Sequence, residues 1–185
     1  MNRKMMLVLV AVVATVLPAV AVADVLVVGF SGGTGHEIGP AFYVQPGSNY
    51  MAASEAAGFK WTPDMVSSTE FIGNMTIGYM TNETIYEVNV LDINFTSSTS
   101  GTFMINITVT NPFPEGSYIY FSTSPFASTA IPAHTMNFTL SSTASQTALT
   151  FSGVHKGETI YVAFVIGSGA PSTAPSFTLT MSEAF

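Results

Sequence analysis

The residues that most often carry out catalysis are few in this 185-residue chain and far apart. There is no cysteine, and the only histidines are His36, His134 and His155. His36 precedes Glu37, but no second histidine follows at the spacing of a zinc-binding helix. The histidines therefore indicate neither a metal centre nor a cysteine or serine nucleophile with its base.

Two other patterns that can support chemistry are incomplete. The glycine-rich run at residues 32–35 lacks the lysine and the following helix of a phosphate-binding loop. Glu87 and Asp92 are a candidate acid–base pair, but residues five apart on a strand face opposite sides. Asp92 and Asn94 share one side and offer calcium two oxygen ligands, fewer than it takes. We expect no catalytic residue, cofactor or metal, which disfavours a secreted hydrolase.

Residues 1–23 have the organisation of a secretory signal. A basic tip at Arg3 and Lys4 precedes an uncharged apolar run that ends at Pro18, and the small residues 21–23 precede a cleavage position. A membrane anchor and a prepilin-type leader are alternatives, because the apolar run continues past residue 23. The proline and the cleavage position favour a cleaved signal. We therefore expect the chain to be exported to the cell surface or beyond.

The composition after this signal limits the partners of the chain. Removing 23 of 185 residues leaves 162, with two lysines against eleven acids and a net charge of −9. Such a charge excludes non-specific nucleic-acid binding and disfavours adhesion to anionic lipid. Charged residues are scarce, and serine and threonine supply most of the polar surface. This composition is typical of exported β-proteins and filament subunits.

Residues 40–185 read as a succession of short strands. The clearest is 102–110, where apolar and polar residues alternate as in an antiparallel strand with one face in water. In 85–96 the apolar positions change phase near Val90 and Leu91, which predicts a bulge or a crossing between sheets. We predict an all-β fold with eight or nine strands, namely a single Greek-key-type, jelly-roll-like β-sandwich with a protruding N-terminal strand.

One segment has helical character. Residues 51–57 predict two helical turns that end at Gly58, a residue suited to a helix C-cap. Trp61, the only tryptophan, follows and is expected to fill the core beneath this helix. No linker in the chain is long enough to separate a second domain.

Five Asn-x-Thr sequons occur among the eight asparagines after residue 23, where chance would supply about two. Outward strand positions that alternate Asn with Thr generate the same motif without any modification. Asn106 and Asn137 are expected to face solvent, which suits either explanation. We predict N-glycosylation at all five in a host with the enzymes for it, namely at Asn74, Asn82, Asn94, Asn106 and Asn137.

The segment Asp24-Val25-Leu26-Val27-Val28-Gly29-Phe30 is apolar on both faces of a strand, as a fully buried strand requires. Left exposed, it would promote aggregation. A glycine-rich tether, residues 31–39, follows it and spans about 25–30 Å when extended. The strand can therefore reach a groove in its own domain or in a neighbouring copy, where it would form a head-to-tail, open-ended polymer. The residues alone leave both possibilities open.

These features together resemble the subunits of archaeal threads and bundling pili, which are related in architecture to TasA-type biofilm fibres of bacteria. In that group the N-terminal strand of each subunit completes the sandwich of its neighbour. The resemblance extends over the chain after the signal, with residues 24–30 as donor strand and 102–110 as a typical core strand. Residues 49–65 have no counterpart in it.

The resemblance implies a structural subunit of an extracellular filament that polymerises by donor-strand complementation and supports adhesion, cell–cell contact or biofilm formation. Its partners would be copies of itself, with neighbouring filaments or cell surfaces as further contacts. A monomeric secreted or surface-anchored module that binds carbohydrate or protein is the alternative, with Trp61 and the side shared by Tyr118 and Tyr120 as its binding residues.

Overall fold

The computed structural model describes residues 21–31, 42–65, 70–127, 131 and 135–184. Most of the predicted signal, the tether from residue 32 to 39, His36 and His134 lie outside these ranges. The described residues form eleven strands and one short helix arranged in two sheets. The predicted all-β sandwich is therefore confirmed.

The strands follow one another along the chain, with the helix between the second and the third. Their bounds are Ala21–Ser31 (β1), Phe42–Pro46 (β2), Tyr50–Ala57 (α1), Lys60–Met65 (β3), Glu70–Tyr79 (β4), Ile85–Phe95 (β5), Gly101–Asn111 (β6), Tyr118–Ser122 (β7), Met136–Thr139 (β8), Leu149–Val154 (β9), Thr159–Ile166 (β10) and Ser176–Ala184 (β11).

The six-stranded sheet has the order β3-β4-β1-β11-β6-β9, and the five-stranded sheet has the order β2-β5-β10-β7-β8. Phenylalanine rings pack in the core between them. Phe42 from β2 meets Phe103 from β6 with ring centroids 4.9 Å apart, and Phe95 from β5 meets the same ring at 5.0 Å. Edge-on aromatic contacts of this kind join the two sheets at one end of the sandwich.

Alternation in the sequence explains which faces are buried. In β11, Phe177, Leu179 and Met181 are buried and the intervening hydroxyl residues are partly exposed. β10 is buried over most of its length because its inner side faces the core and its outer side is covered by aromatic residues and the loop after β7. The alternation in β11 and the continuous apolar run in β10 thus account for the two burial patterns.

The predicted phase change in β5 is a bulge. Leu91 lies opposite Val162 of β10, but Glu87 lies opposite Phe164, so three residues of β5 face one residue of β10. Within the bulge, Asn89 adopts a left-handed backbone with φ of 52°. Asparagine tolerates this conformation better than most residues. The extra residues bring Val90 and Leu91 onto the core side together.

The predicted helix is also present. It ends at Ala57, and Gly58 has φ of 65° and donates its N–H to the carbonyl of Ala53, as in a left-handed C-cap. Trp61 follows on β3, is only 6% exposed, and donates its backbone N–H to the hydroxyl of Tyr50 at 3.0 Å. The prediction that this tryptophan is part of the core is confirmed.

The eight strands from β4 to β11 pair in a nested way. β7 pairs with β8, β6 with β9, and β5 with β10. The outermost pair of this nest, β4 and β11, is held apart by β1. The first strand therefore lies inside the sheet at the one place where the nested order is interrupted.

Candidate functional site: the slot between β4 and β11

The slot is a strand-wide gap in the six-stranded sheet between β4 and β11, and β1 of the same chain fills it. β1 runs antiparallel to β4, from Ala21 opposite Tyr79 to Phe30 opposite Glu70. It runs parallel to β11, with Leu26 opposite Thr178. Without β1, two rows of backbone N–H and C=O groups would lose their partners inside the sheet.

Apolar side chains from both neighbouring strands line the core side of the slot. Met75 and Ile77 of β4 are buried, as are Leu179 and Met181 of β11. Because β1 lies between these pairs of residues, its removal would open the core to water along the whole sheet. The slot therefore requires an occupant with strand geometry.

Trp61 covers β4 near the middle of the slot, on the core side. A Cβ built on Gly73 of β4 would overlap the indole ring of Trp61, so only glycine leaves room for it. Gly73 lies opposite Val27 of β1 on one side and Pro63 of β3 on the other. The tryptophan thus covers a glycine in a strand, an arrangement that compensates for its missing side chain.

A buried carboxyl group lies at the end of the slot where β1 ends. Glu183 of β11 is 1% exposed, and neither carboxyl oxygen has a hydrogen-bond partner among the described residues. It lies opposite Ser31, the last residue of β1, and opposite Phe103 of β6. Burial raises the pKa of the Glu183 carboxyl to about 7. The slot is therefore uncharged along its core side when this group is protonated.

The two ends of the tether lie at the same end of the sandwich. β1 ends at Ser31 beside Glu183, and Glu183 lies beside Phe103, which contacts Phe42 at the start of β2. Two strand spacings and one sheet spacing separate Ser31 from Phe42, a distance of about 15 Å. The ten residues between them can span roughly twice that distance. The tether is therefore long enough for β1 to fill the slot of its own chain, with length to spare.

The expected cleavage before Asp24 would leave the slot nearly filled. β1 begins at Ala21, so cleavage would remove three of its ten pairs with β4. All six pairs with β11 involve residues from Leu26 onward and would remain. The strand that remains, residues 24–31, is the segment predicted as donor strand with one residue added.

The structure keeps the candidate catalytic residues apart. Glu87 lies opposite the buried Phe164, whereas Asp92 lies opposite the partly exposed Tyr161 on the other face of the sheet. Burial raises the pKa of both carboxyl groups. His155 is exposed and lies 3.4 Å from the Glu158 carboxylate, its neighbour in a turn. None of these pairs forms an acid, base and nucleophile arrangement.

The other candidate sites also gain no support. Among the described residues, no group of three or more His, Cys, Asp or Glu side chains could hold a metal ion. The Asn94 carbonyl accepts a hydrogen bond from Thr159 instead of facing a cation with Asp92. Residues 29–33 have the Gly-x-Ser-x-Gly spacing of a nucleophile elbow, but Ser31 is paired within a strand.

A cleft of about 250 Å³ lies beside the turn between β9 and β10. Its lining includes Thr123, Glu158, Thr159 and Tyr161. Among the described residues that line it, Glu158 is the only charged one, and no second carboxylate or histidine shares the cleft with it. The cleft therefore provides polar contacts without a reactive group.

Four of the five predicted glycosylation sites are exposed. Asn74, Asn82, Asn106 and Asn137 face solvent from strands or a loop, as expected for Asn106 and Asn137. Asn94 differs because its amide nitrogen is buried and has no hydrogen-bond partner in the part of the chain that the structure describes. This amide nitrogen is the atom to which a glycan would be attached.

No protein-family model matches the chain, and no curated protein is significantly similar to it in sequence. Within the described ranges, no helix has the length and apolar character needed to cross a membrane.

Proposed function

We propose that the chain is a structural subunit of an extracellular filament, of the kind found in pili, threads or biofilm matrix fibres. Its subunits would join by donor-strand complementation, each β1 filling the slot of a neighbouring copy. The filament would support adhesion, cell–cell contact or biofilm formation, and its assembly would need no catalysis.

The position of β1 between β4 and β11, the outermost pair of the nested strands, is the observation that supports this proposal most directly. Eight strands that pair first with last, second with seventh and so on have the order of a jelly roll. In such an order β4 and β11 would be adjacent, yet β1 separates them. The eight strands thus form an incomplete sandwich that an added strand completes, which is the situation in which β-strand addition operates.

The position of β1 in the chain supports exchange between copies. It is the first of the described strands, and residues 32–41 connect it to the rest of the sandwich. A terminal strand on a tether can leave its sheet without disturbing any other connection. Both the export signal and the scarcity of charge agree with a subunit assembled outside the cell.

The location of the tether limits how copies can be arranged. The tether begins at the end of β1 and joins β2 at the same end of the sandwich. Two copies can therefore exchange their β1 strands reciprocally and form a closed dimer. An open filament instead requires neighbours related by a rotation other than a two-fold. Their slots must also lie within reach of the ten residues that connect β1 to β2, about 35 Å when extended.

An engineered disulfide can distinguish these arrangements, because the chain has no cysteine of its own. Val28 of β1 lies opposite Thr180 of β11, so Val28→Cys with Thr180→Cys places two thiols in adjacent strands. We expect the secreted, oxidised variant to give a ladder of covalent oligomers on a non-reducing gel. If the disulfide forms only within single chains, or gives only dimers, the filament proposal is wrong.

A second cysteine pair serves as the matched control. Thr108 of β6 lies opposite Thr178 of β11, two strands that belong to one copy in every arrangement. Thr108→Cys with Thr178→Cys should therefore form a disulfide within one chain, whether β1 stays in its own slot or fills that of a neighbour. A ladder from this control would show that the cross-links arise from random collisions between copies.

Deleting residues 24–30 tests whether the strand is required. The variant should remain unpolymerised, because every slot is then empty and no copy carries a donor strand. A synthetic peptide of residues 24–31 should bind this variant and raise its unfolding temperature. Normal fibres from the deletion variant, seen by negative-stain microscopy, would contradict the proposal.

The alternative is a monomeric, secreted or surface-anchored module that binds carbohydrate or protein. It is favoured by one observation, namely that the chain's own β1 can fill the slot. Its expected binding residues need correction, because Trp61 is buried and offers no surface to a ligand. A stable monomer in gel filtration of the signal-free protein would favour this alternative.

A further inference from the structure

Tyrosines gather on the outward face of the five-stranded sheet, away from the slot. We call the set Tyr86, Tyr118, Tyr120 and Tyr161 the tyrosine face. Tyr86 is 49% exposed, and the other three are partly exposed. The rings of Tyr118 and Tyr120 lie 5.8 Å apart. Strands β7, β8 and β10, which carry or border most of this face, contain no charged residue.

One predicted glycosylation site lies directly beside this face. Asn137 of the edge strand β8 is exposed and pairs with Tyr120 of β7. Residues that face each other in this way have their Cβ atoms about 5 Å apart. A sugar attached to Asn137 therefore begins within contact distance of the Tyr120 ring.

The amide of Asn137 is already oriented. Its Nδ2 donates a hydrogen bond to the carbonyl of Thr135 at 3.1 Å. A glycosylated amide nitrogen keeps one hydrogen, so this bond can persist after modification. The bond restricts the directions in which an attached sugar can leave the strand.

We propose that an N-linked glycan on Asn137 packs its first sugar ring against Tyr120 and covers the adjoining part of the tyrosine face. Sugar rings have apolar C–H faces that fit the flat surface of an aromatic ring, while the tyrosine hydroxyl remains in water. The glycan would also lie along β8, the edge of its sheet, and block pairing of another strand there. This inference goes beyond the proposed polymerisation, which involves the other sheet.

Two other exposed sequons on strands lack such a neighbour. Asn106 of β6 pairs with Thr180 of β11, and Asn74 of β4 pairs with Thr62 of β3. The difference between Asn137 and Asn106 is therefore the aromatic residue across the strand pair, since both are exposed and both belong to Asn-x-Thr motifs. Asn106 is the matched control for Asn137.

The test uses the full chain, secreted from a host that glycosylates Asn-x-Thr sites. Site occupancy is measured by mass spectrometry, and unfolding temperatures are measured for wild type, Asn137→Gln and Asn106→Gln, each with and without Tyr120→Thr. We expect Asn137 to be occupied and its loss to lower the unfolding temperature by several degrees. With Tyr120→Thr present, the loss of the Asn137 glycan should lower it by less than half as much.

Two further variants separate stacking from a general effect of substitution. Thr139→Ala removes the sequon but keeps Asn137, and should lower the unfolding temperature as Asn137→Gln does. Tyr120→Phe keeps the ring and should preserve the full effect of the glycan. For Asn106→Gln, the change should be the same with either residue at 120.

The proposal is overturned if Asn137 is unoccupied in the secreted protein. It is also overturned if loss of the Asn137 glycan has the same effect with threonine and with tyrosine at position 120. A glycan at Asn106 that depends on Tyr120 as strongly as the one at Asn137 would likewise contradict it, because no contact joins those two residues in the same chain.

Discussion

The carboxyl group of Glu183 lies against Gly101, where a Cβ built on the glycine would come within 2.7 Å of Glu183 Oε1. Gly101 begins β6, and Glu183 is the next to last residue of β11. The absence of a side chain on Gly101 leaves space for the carboxyl group but provides it with no hydrogen-bond donor. The carboxyl group is therefore enclosed at the end of the slot without a hydrogen-bond partner among the described residues.

This enclosure predicts a pH-dependent stability. The Glu183 carboxyl has its pKa raised from 4.5 to about 7 by burial, so the folded state binds a proton that the unfolded state releases. The stabilising effect of protonation is complete below pH 4.5 and is lost as pH rises towards 7. The free energy of unfolding should fall over this interval by at most about 3 kcal/mol. Urea denaturation at a series of pH values measures it.

Glu183→Gln supplies the comparison for this prediction. The variant cannot ionise, so its free energy of unfolding should fall less between pH 4.5 and 7 and exceed that of wild type at pH 8. Glu87 and Asp92 also have their pKa raised by burial, so a weaker slope of the same sign will remain. Glu83→Gln, at an exposed loop position, should leave the wild-type slope unchanged. Identical slopes for wild type and Glu183→Gln would contradict the prediction.

The bulge in β5 predicts a large effect of a single asparagine. Asn89 accepts a hydrogen bond from the Phe126 N–H and donates one to the Phe126 carbonyl, both at 2.8 Å. Asn89→Ala leaves both buried backbone groups unpaired and places a less tolerant residue at positive φ. We expect the free energy of unfolding to fall by about 2–4 kcal/mol. Chemical denaturation of the unglycosylated protein measures this change.

Asn106→Ala is the control for Asn89→Ala, because Asn106 is exposed on a regular strand. Its effect should stay within about 0.5 kcal/mol of wild type. Asn89→Gly separates the loss of the hydrogen bonds from the strain of positive φ. Glycine adopts positive φ freely but has no side chain to bond the backbone of Phe126. A variant Asn89→Ala as stable as Asn106→Ala would show that the loop after β7 does not depend on this contact.

The contact between Trp61 and Gly73 predicts a coupled pair of substitutions. Gly73→Ala introduces a methyl group into the space of the indole ring, and should destabilise the protein by about 1–3 kcal/mol. In a Trp61→Leu background the same substitution should lower the free energy of unfolding by less, because the indole ring is absent. Trp61 is the only tryptophan, so its fluorescence should shift to longer wavelength in Gly73→Ala as the ring moves outward. Equal costs in both backgrounds would exclude the steric contact.

Strands with clear alternation were predictable from the sequence. The periodicity of two in 102–110 corresponds to β6, and the change of phase near Val90 corresponds to the bulge in β5. Gly58 correctly indicated the end of the helix. These features were predictable because each depends on residues close together in sequence and on a local rule of backbone geometry.

Features that depend on neighbours distant in sequence were not predicted. β3 contains Lys60 and Pro63 and has no alternation, so only its pairing with β4 identifies it as an edge strand, where proline is tolerated. Glu183 continues the inward series of Phe177, Leu179 and Met181, so the sequence indicates that its side chain points inward. The sequence does not indicate that it is buried beside Gly101, because Gly101 lies some eighty residues earlier. The slot itself requires knowledge of the strand order.

The burial of Asn94 predicts which sequon stays unmodified. Its Oδ1 accepts a hydrogen bond from the Thr159 hydroxyl at 2.9 Å, and its Nδ2 is buried. A glycan on Nδ2 would have to separate the residues packed around this buried nitrogen. We therefore expect folded, secreted protein from a glycosylating host to carry glycans at exposed sites such as Asn106, and none at Asn94.

Mass spectrometry of glycopeptides from the folded fraction measures this occupancy site by site. Asn106 serves as the internal reference, because it is exposed on a strand and has the same Asn-x-Thr motif. If modification precedes folding, chains glycosylated at Asn94 should be found in the unfolded or retained fraction, because the attached sugar prevents β5 from packing. Equal occupancy of Asn94 and Asn106 in folded protein would contradict the buried position of this amide.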